Sequence, residues 1–330
     1  MAKAKKNRPS AQQSWEQPQQ QPQQRQKPRT RAERQAAEAA QAQARAEQAA
    51  RERRQQTILG ATVVAVIVVI VAVVAGVIWW RTRPVDTAAL RSDVEKVAVK
   101  PASATDDYGF LISKDGINKP VEGVPTVEFY MDFICPGCGN MERSTGSTTT
   151  QLVQSGQINL EVHPLSFMDR YSTDNYSTRA AGAVINVAEQ DPEHLLAFIS
   201  NLYAEDFQPQ EGSSYVATSD EQIQQQAIKA GVSEELARTI SDGKYNDWLA
   251  AETQVTINRQ DLENVSGSLK GKVSTPIVTI NGTFWDWNSM DSSTTLAQGL
   301  LKAIGLEESQ VGTSTLPSIG ADGKALYPAS

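Results

Sequence analysis

The sequence predicts an α/β domain that follows a disordered N-terminal tail and a single transmembrane helix. Residues 58–80 form an apolar run without a charged side chain. Beyond this run, three short segments rich in β-branched and aromatic residues have the composition of strands. A long stretch of mainly helical segments separates the second strand segment from the third. Strands and helices are therefore expected in one folded domain.

The N-terminal residues 1–57 are dense in Gln, Ala, Arg and Pro, and they hold 13 Lys and Arg against five Asp and Glu. Such a segment cannot bury a core, and residues 1–30 are too polar and too proline-rich to fold. Strong helix formers at 31–56 predict a solvated helix. The rest of the chain carries a net charge near −15. An acidic body of this kind has no electrostatic basis for binding nucleic acid.

The apolar run has the length of a membrane span. At about 1.5 Å per residue, residues 58–78 extend over roughly 31 Å, the thickness of a hydrocarbon core. Trp79 and Trp80 have the character of an interfacial anchor. A cleaved signal peptide has a shorter apolar run. Over 57 residues on each side, the 13 basic residues before the span outnumber the seven after it. This predicts a single-pass protein of the cell membrane with a cytoplasmic N-terminus and an extracytoplasmic domain.

The folded domain is predicted at residues 107–305, between a linker at 81–106 and a flexible C-terminal tail at 306–330. Within it, a mainly helical stretch is expected at about 170–265. The predicted strands are Val124–Phe133, Ile158–His163 and Val273–Ile280. The predicted helices are Tyr176–Glu189, Pro192–Tyr203, Asp220–Ala230, Ser233–Ser241, Asp247–Asn264 and Ser292–Ile304.

The chain has two cysteines, Cys135 and Cys138, and they enclose a Pro-Gly pair. A Cys-x-x-Cys sequence is either a redox dithiol or half of a zinc site. Zinc needs further Cys or His ligands, and His163 and His194 lack the usual spacing. The pair is therefore interpreted as a redox dithiol, with no metal.

The pair is placed where a strand ends and a helix begins. At a helix N-terminus, free N–H groups and the helix dipole stabilise a thiolate at Cys135 and lower its pKa. Pro136 suits the first helical position. Cys138, one turn later, can close the ring and release a mixed disulfide. A structural disulfide is the alternative, but so small a loop restrains the unfolded chain little.

A second motif, Thr275-Pro276, begins an otherwise apolar strand. Proline inside a buried strand is normally excluded. The position therefore indicates an edge strand, a bulge or a cis peptide bond.

The run around Asp132-Phe-Ile-Cys-Pro-Gly-Cys, together with Val273-Ser-Thr-Pro-Ile-Val-Thr-Ile-Asn-Gly, resembles the DsbA-like thiol–disulfide oxidoreductases. It is similar to the membrane-anchored type of Gram-positive actinobacteria. The resemblance implies a thioredoxin-like core with a helical insertion, and a redox-active disulfide Cys135–Cys138 in place of a bound cofactor. It makes Cys135 the nucleophile and Cys138 the resolving cysteine. It also makes Pro276 the cis-proline, with Thr275 offering backbone groups to an extended substrate.

Three other positions bear on the chemistry of the thiols. Gly137 has no side chain to stabilise a thiolate, whereas strongly oxidising relatives carry His between the cysteines. Phe129 stands where many relatives place a buried acid, and strand alternation puts Glu128 on the opposite face. Asp132 either helps to set the thiol environment or is an exposed carboxylate at a strand end.

The remaining candidate residues have structural interpretations. His163, before a proline at a strand end, is expected at the surface or in a cap, with a catalytic base as the alternative. Trp285 and Trp287 are expected to pack in the core or at its rim, with the border of a substrate groove as the alternative.

The predicted function is extracytoplasmic formation of disulfides in reduced secreted proteins. By resemblance, a membrane protein related to vitamin K epoxide reductase would reoxidise the dithiol. The alternatives are a dedicated reductase or isomerase and, from another class, a non-catalytic membrane-anchored adaptor.

Overall fold

The computed structural model describes residues 30–81 and 85–328. The chain divides into two compact units, residues 1–83 and 84–330. In the first unit, α1 (Arg31–Arg81) is helical through both the predicted solvated helix and the apolar run. The disorder predicted for residues 1–30 lies, except for residue 30, outside the described residues.

The predicted transmembrane helix is not confirmed. Across the described ranges, no helix is long and apolar enough to cross a membrane.

The second unit combines one six-stranded sheet with eight further helices within the described residues. Its strands are β1 (Phe110–Ser113), β2 (Gly116–Ile117), β3 (Thr126–Asp132), β4 (Asn159–Leu165), β5 (Ile277–Ile280) and β6 (Thr283–Phe284). Its helices are α2 (Thr87–Lys96), α3 (Pro136–Gln154), α4 (Tyr176–Gln190), α5 (Leu195–Leu202), α6 (Asp220–Ala230), α7 (Glu234–Ala237), α8 (Asn246–Thr256) and α9 (Leu296–Ile304).

The sheet has the strand order β2-β1-β4-β3-β5-β6, so β3 lies near its centre. β3 runs parallel to β4 and antiparallel to β5, while β1 pairs antiparallel with β4. The insertion α4–α8 separates β4 from β5 in sequence. Because side chains alternate across a strand, β3 contributes to two apolar clusters. Phe129 belongs to the main core, and Tyr130 to a smaller cluster with Leu165 and Ile277.

The structure has strands at all three predicted positions, and cap residues explain where the helices begin. α6 matches its predicted bounds because Ser219 and Gln222 form a capping box and Gly231 ends the helix. α9 begins four residues later than predicted because Thr295 caps it through the N–H of Gln298. Sequence patterns missed β1, β2 and β6, which are only two to four residues long.

The predicted linker at 81–106 is wrong because most of it is part of the folded unit. Asp86 caps α2 by accepting from the N–H groups of Ala88 and Ala89. Val94 is 1% exposed, and α2 packs against α8. The domain therefore begins about 20 residues earlier than predicted.

The predicted loose tail at 306–330 is also wrong as far as residue 328. The buried amide of Gln157 donates to the carbonyls of Gln310 and Thr315. Trp285 donates its indole N–H to the carbonyl of Tyr327 at 2.7 Å. These bonds join side chains of the domain to the tail's own backbone, so the tail's polar composition does not reveal them.

Candidate active site

The two cysteines lie where β3 gives way to α3. Cys135 is the residue before the helix, and Pro136 is its first residue, as predicted. The backbone N–H of Cys135 donates to the carbonyl of Asp132 at 3.0 Å, which closes the turn after the strand. Both thiols are free and buried, with Cys135 6% exposed and Cys138 2%.

The environment of Cys135 favours a thiolate. A hydrogen bond from the Cys138 thiol lowers the pKa of Cys135 to about 6, in spite of its burial. The N–H groups of Gly137 and Cys138 act in the same direction. These N–H groups belong to the first turn of α3, whose free donors point toward the nucleophile.

The environment of Cys138 has the opposite effect. Burial raises the pKa of Cys138 well above its ordinary value, and its hydrogen bond to Cys135 and the charge of Cys135 raise it further. At neutral pH one sulfur is therefore mainly a thiolate and the other a thiol, which is the division of roles expected of a nucleophile and a resolving residue.

Thr275 and Pro276 lie against this dithiol, as the resemblance implies. The bond between them is cis, and the carbonyl oxygen of Thr275 is 3.4 Å from Sγ of Cys135. A Cβ added to Gly137 would be only 2.9 Å from Cδ of Pro276. Gly137 therefore has a steric reason to be glycine that the sequence did not reveal.

Asp132 is completely buried, so the alternative of an exposed carboxylate is wrong. Its two carboxylate oxygens accept from the N–H groups of Ile134 and Met168 and from the Ser177 hydroxyl. Burial raises the pKa of Asp132 to about 7 against these bonds, and the charge of Cys135 contributes in the same direction. The carboxyl group thus shares the electrostatic environment of the nucleophile.

Two further groups near the thiols were missed by the sequence analysis. Tyr203 is buried and stacks on Phe133, with ring centroids 5.1 Å apart. Burial, and then the charge of Cys138, raise the pKa of Tyr203. Gln208 bonds to the backbone on both sides of the turn. Neither residue has a sequence signal, because both come from the insertion, more than 60 residues after the cysteines.

The prediction that His163 lies at the surface or in a cap is wrong. It is 1% exposed and stacks on Tyr130 with ring centroids 4.0 Å apart. Burial lowers the pKa of His163 to about 3, so the ring is neutral. β4 pairs with two strands and carries His163 on the face of the smaller apolar cluster.

The other residues lie away from the sulfurs. Glu128 accepts hydrogen bonds from Tyr130 and Thr279. Trp285 is a core residue, as predicted, and Trp287 is half-buried against it. Within residues 30–81 and 85–328, no group of three or more His, Cys, Asp or Glu residues is arranged to hold a metal.

Comparison with known families identifies this dithiol domain. A family model described as thioredoxin matches residues 122–297, which include both cysteines and the Thr275-Pro276 pair. The chain belongs to the thioredoxin family. The predicted thioredoxin-like core is thereby confirmed, and the insertion α4–α8 lies within the matched range.

Several solved structures are similar to the chain. It is 28% identical to oxidised DsbA from Mycobacterium tuberculosis, over 54% of this chain and 85% of that one, with a TM-score of 0.45. It is 27% identical to reduced DsbG from the same organism, over 56% of this chain and 83% of that one, with a TM-score of 0.46. MdbA, a thiol–disulfide oxidoreductase from Corynebacterium diphtheriae, is 22% identical over 58% of this chain and 91% of that one, with a TM-score of 0.44.

Among curated proteins, the chain is 34% identical over 145 residues to the serine/threonine-protein kinase PknE of Mycobacterium tuberculosis. The match covers 43% of this chain, and the chain spans about a quarter of the length of the curated relatives it matches.

Proposed function

We propose that the chain is an extracytoplasmic thiol–disulfide oxidoreductase that forms disulfides in secreted proteins. The observation that carries the proposal is the unequal environment of the two sulfurs. Hydrogen bonds stabilise the thiolate of Cys135, whereas burial keeps Cys138 protonated. In a disulfide between such residues, the sulfur of Cys135 is a good leaving group, and the sulfur of Cys138 stays protonated while Cys135 is bonded to a substrate.

The proposed reaction begins with the disulfide Cys135–Cys138. A substrate thiolate attacks Sγ of Cys135, the disulfide breaks, and Cys138 leaves and takes up a proton. A second substrate thiolate then attacks the substrate sulfur of the mixed disulfide, and Cys135 leaves as a thiolate. Two electrons pass from the substrate dithiol to the enzyme, which ends in the reduced form with the substrate oxidised.

The stabilised thiolate favours this direction. At pH 7, a pKa of about 6 for Cys135 instead of the ordinary 8.5 stabilises the reduced form by roughly 1–2 kcal/mol, or a few tens of millivolts for a two-electron couple. A reduced form that is more stable makes the disulfide a stronger oxidant. If the reduction potential of the Cys135–Cys138 pair is lower, the same sulfur environment suits the second candidate function, a dedicated reductase or isomerase.

The test is oxidation of a reduced, unfolded protein by the oxidised full chain. We expect recovery of native substrate disulfides, and loss of activity in Cys135→Ser. A reduction potential nearer to about −120 mV than to about −270 mV supports the oxidase over the reductase. If the wild type recovers no substrate, or if Cys135→Ser is as active as the wild type, the proposed activity is wrong.

The proposed partners and location extend this function. Reduced secreted proteins are the substrates, and a membrane protein related to vitamin K epoxide reductase reoxidises the dithiol. The run at 58–80, which contains no charged residue, is the proposed anchor. The chain has no cysteines outside the pair. A membrane-impermeant maleimide, applied to intact cells after mild reduction, therefore reports on which side of the membrane the dithiol lies. Labelling that requires lysis would contradict the extracytoplasmic location.

The adaptor alternative predicts full cellular function after both cysteines are replaced by Ser. The oxidoreductase proposal predicts that this double variant accumulates reduced secreted proteins.

A further inference from the structure

The backbone on either side of Cys135 is held by a side chain from the helical insertion. Nε2 of Gln208 donates to the carbonyl of Cys135 at 2.9 Å and to that of Phe133 at 3.3 Å. The carbonyl of Cys135 also accepts from the N–H of Gly139 at 3.1 Å. The amide of Gln208 therefore binds the two carbonyls that bracket the nucleophile's turn, one of which also takes part in the first hydrogen bond of α3.

A second contact fixes the orientation of this amide. Nη1 of Arg143, on α3, donates to Oε1 of Gln208 at 3.1 Å and to the carbonyl of Tyr203 at 2.8 Å. Because the guanidinium is a donor only, the oxygen of Gln208 must face Arg143 and the NH₂ group must face the turn. The backbone N–H of Gln208 donates to the carbonyl of Ala204 at 2.9 Å. Residues 203–208 are thus joined to α3 through Arg143, which contacts both Tyr203 and Gln208.

The helix leaves room for this side chain. A Cβ added to Gly139 would be 1.9 Å from Oε1 of Gln208 and 2.7 Å from Nη1 of Arg143. Gly139 lies inside α3, where glycine costs about 0.5–1 kcal/mol relative to alanine. The close approach of Gln208 accounts for glycine at this position.

We propose that Gln208 is a positioning residue of the reactive dithiol. It holds the turn before α3, and thereby the start of the helix, so that the N–H groups of Gly137 and Cys138 face Sγ of Cys135. The inference rests on the proposed thiol–disulfide exchange. The N–H groups of Gly137 and Cys138 help to stabilise the thiolate. They belong to the two peptide units that follow the Cys135–Pro136 unit, whose carbonyl Gln208 binds. The residue does not touch the sulfur and acts through the backbone.

The test compares three single variants of the full chain. Gln208→Met keeps the length of the side chain and removes both hydrogen bonds. Gly139→Ala displaces Gln208 without altering it. Gln210→Met is the matched control, because Gln210 is exposed two residues further along. Alkylation of reduced Cys135 by iodoacetamide between pH 4 and 9, with the label located by mass spectrometry, gives the midpoint of thiolate formation.

We expect the midpoint to rise in Gln208→Met and Gly139→Ala, with alkylation at pH 5 slower by about three- to tenfold, the equivalent of about half to one pKa unit. Gln210→Met should match the wild type. If both test variants have the wild-type midpoint, Gln208 does not position the thiol. A change in the free energy of unfolding without a shift of the midpoint assigns Gln208 a purely structural role and overturns the proposal as well.

The result is independent of whether the chain oxidises substrates. A wild type that fails to oxidise a reduced protein contradicts the proposed function, yet its Cys135 midpoint still reports on Gln208. Conversely, an active wild type with unshifted variants contradicts the positioning role alone.

Discussion

Replacement of Asp132 by Asn is expected to stabilise the reduced protein at pH 8 and to change its stability little at pH 4. In the folded protein, burial raises the pKa of this carboxyl to about 7, against about 3.9 in an unfolded chain. The folded state therefore binds more protons than the unfolded state between these values. Stability consequently falls as the pH rises from about 4 to about 7. Asparagine resembles the protonated carboxyl group in shape and does not titrate.

The size of the effect follows from the two pKa values. Ionisation of Asp132 costs the folded state about 4 kcal/mol at pH 8 but less than about 1 kcal/mol at pH 4. Asp132→Asn should therefore raise the free energy of unfolding by several kcal/mol at pH 8, less any loss from a changed bond to the N–H of Met168.

The assay is urea unfolding of reduced wild type and variant at several pH values, followed by tryptophan fluorescence. Asp206→Asn serves as the control, because Asp206 is exposed, and it should show no comparable trend. A difference between wild type and Asp132→Asn that is the same at pH 4 and pH 8 would refute the reasoning. A variant that is less stable than the wild type at pH 8 would refute it too.

Three further predictions concern the thiols and the C-terminal segment. Because the Cys138 thiol is the main donor to Cys135, Cys138→Ala should move the alkylation midpoint of Cys135 above its value of about 6; an unchanged midpoint would contradict that hydrogen bond. Gly137→Ala places a Cβ 2.9 Å from a proline ring and should destabilise the fold by about 1–3 kcal/mol in urea unfolding. Gly320→Ala is the control and should be nearly neutral, because its Cβ would meet nothing closer than 3.5 Å. Deletion of residues 312–330 removes two partners of the buried amide of Gln157, the N–H of Gly312 and the carbonyl of Thr315. It should lower the free energy of unfolding by roughly 2–4 kcal/mol, whereas an unchanged Tm would show that the segment contributes no stability.

The parts of the fold that follow local rules could be predicted from the sequence. Apolar, β-branched residues mark β3, and the capping box at Ser219 sets the start of α6. The spacing of Cys135 and Cys138, with Pro136 between them, identified the dithiol and its place at the helix N-terminus. These features depend on residues that are close together in the chain.

The parts that depend on distant residues could not be predicted. Asp132 is an acid at a strand end, and nothing nearby in the sequence indicates that Ser177, 45 residues later, covers it. Gln208 lies 73 residues from the carbonyl it binds. His163 was assigned to the surface because a histidine before a proline suits a strand end, but β4 is paired on both sides and buried. Such contacts follow from strand order and packing.

The long separation between Cys135 and Thr275 also has a consequence for the chain while it is being synthesised. Their contact at the sulfur spans 140 residues, and β5, the central strand's antiparallel partner, ends at Ile280. A nascent chain that stops before residue 275 contains both cysteines but lacks the threonine and proline that border them. Cys135 in such a chain lacks the contact with Thr275 that the folded domain provides. The complete surroundings of Sγ of Cys135 can therefore form only after residue 276 has been synthesised.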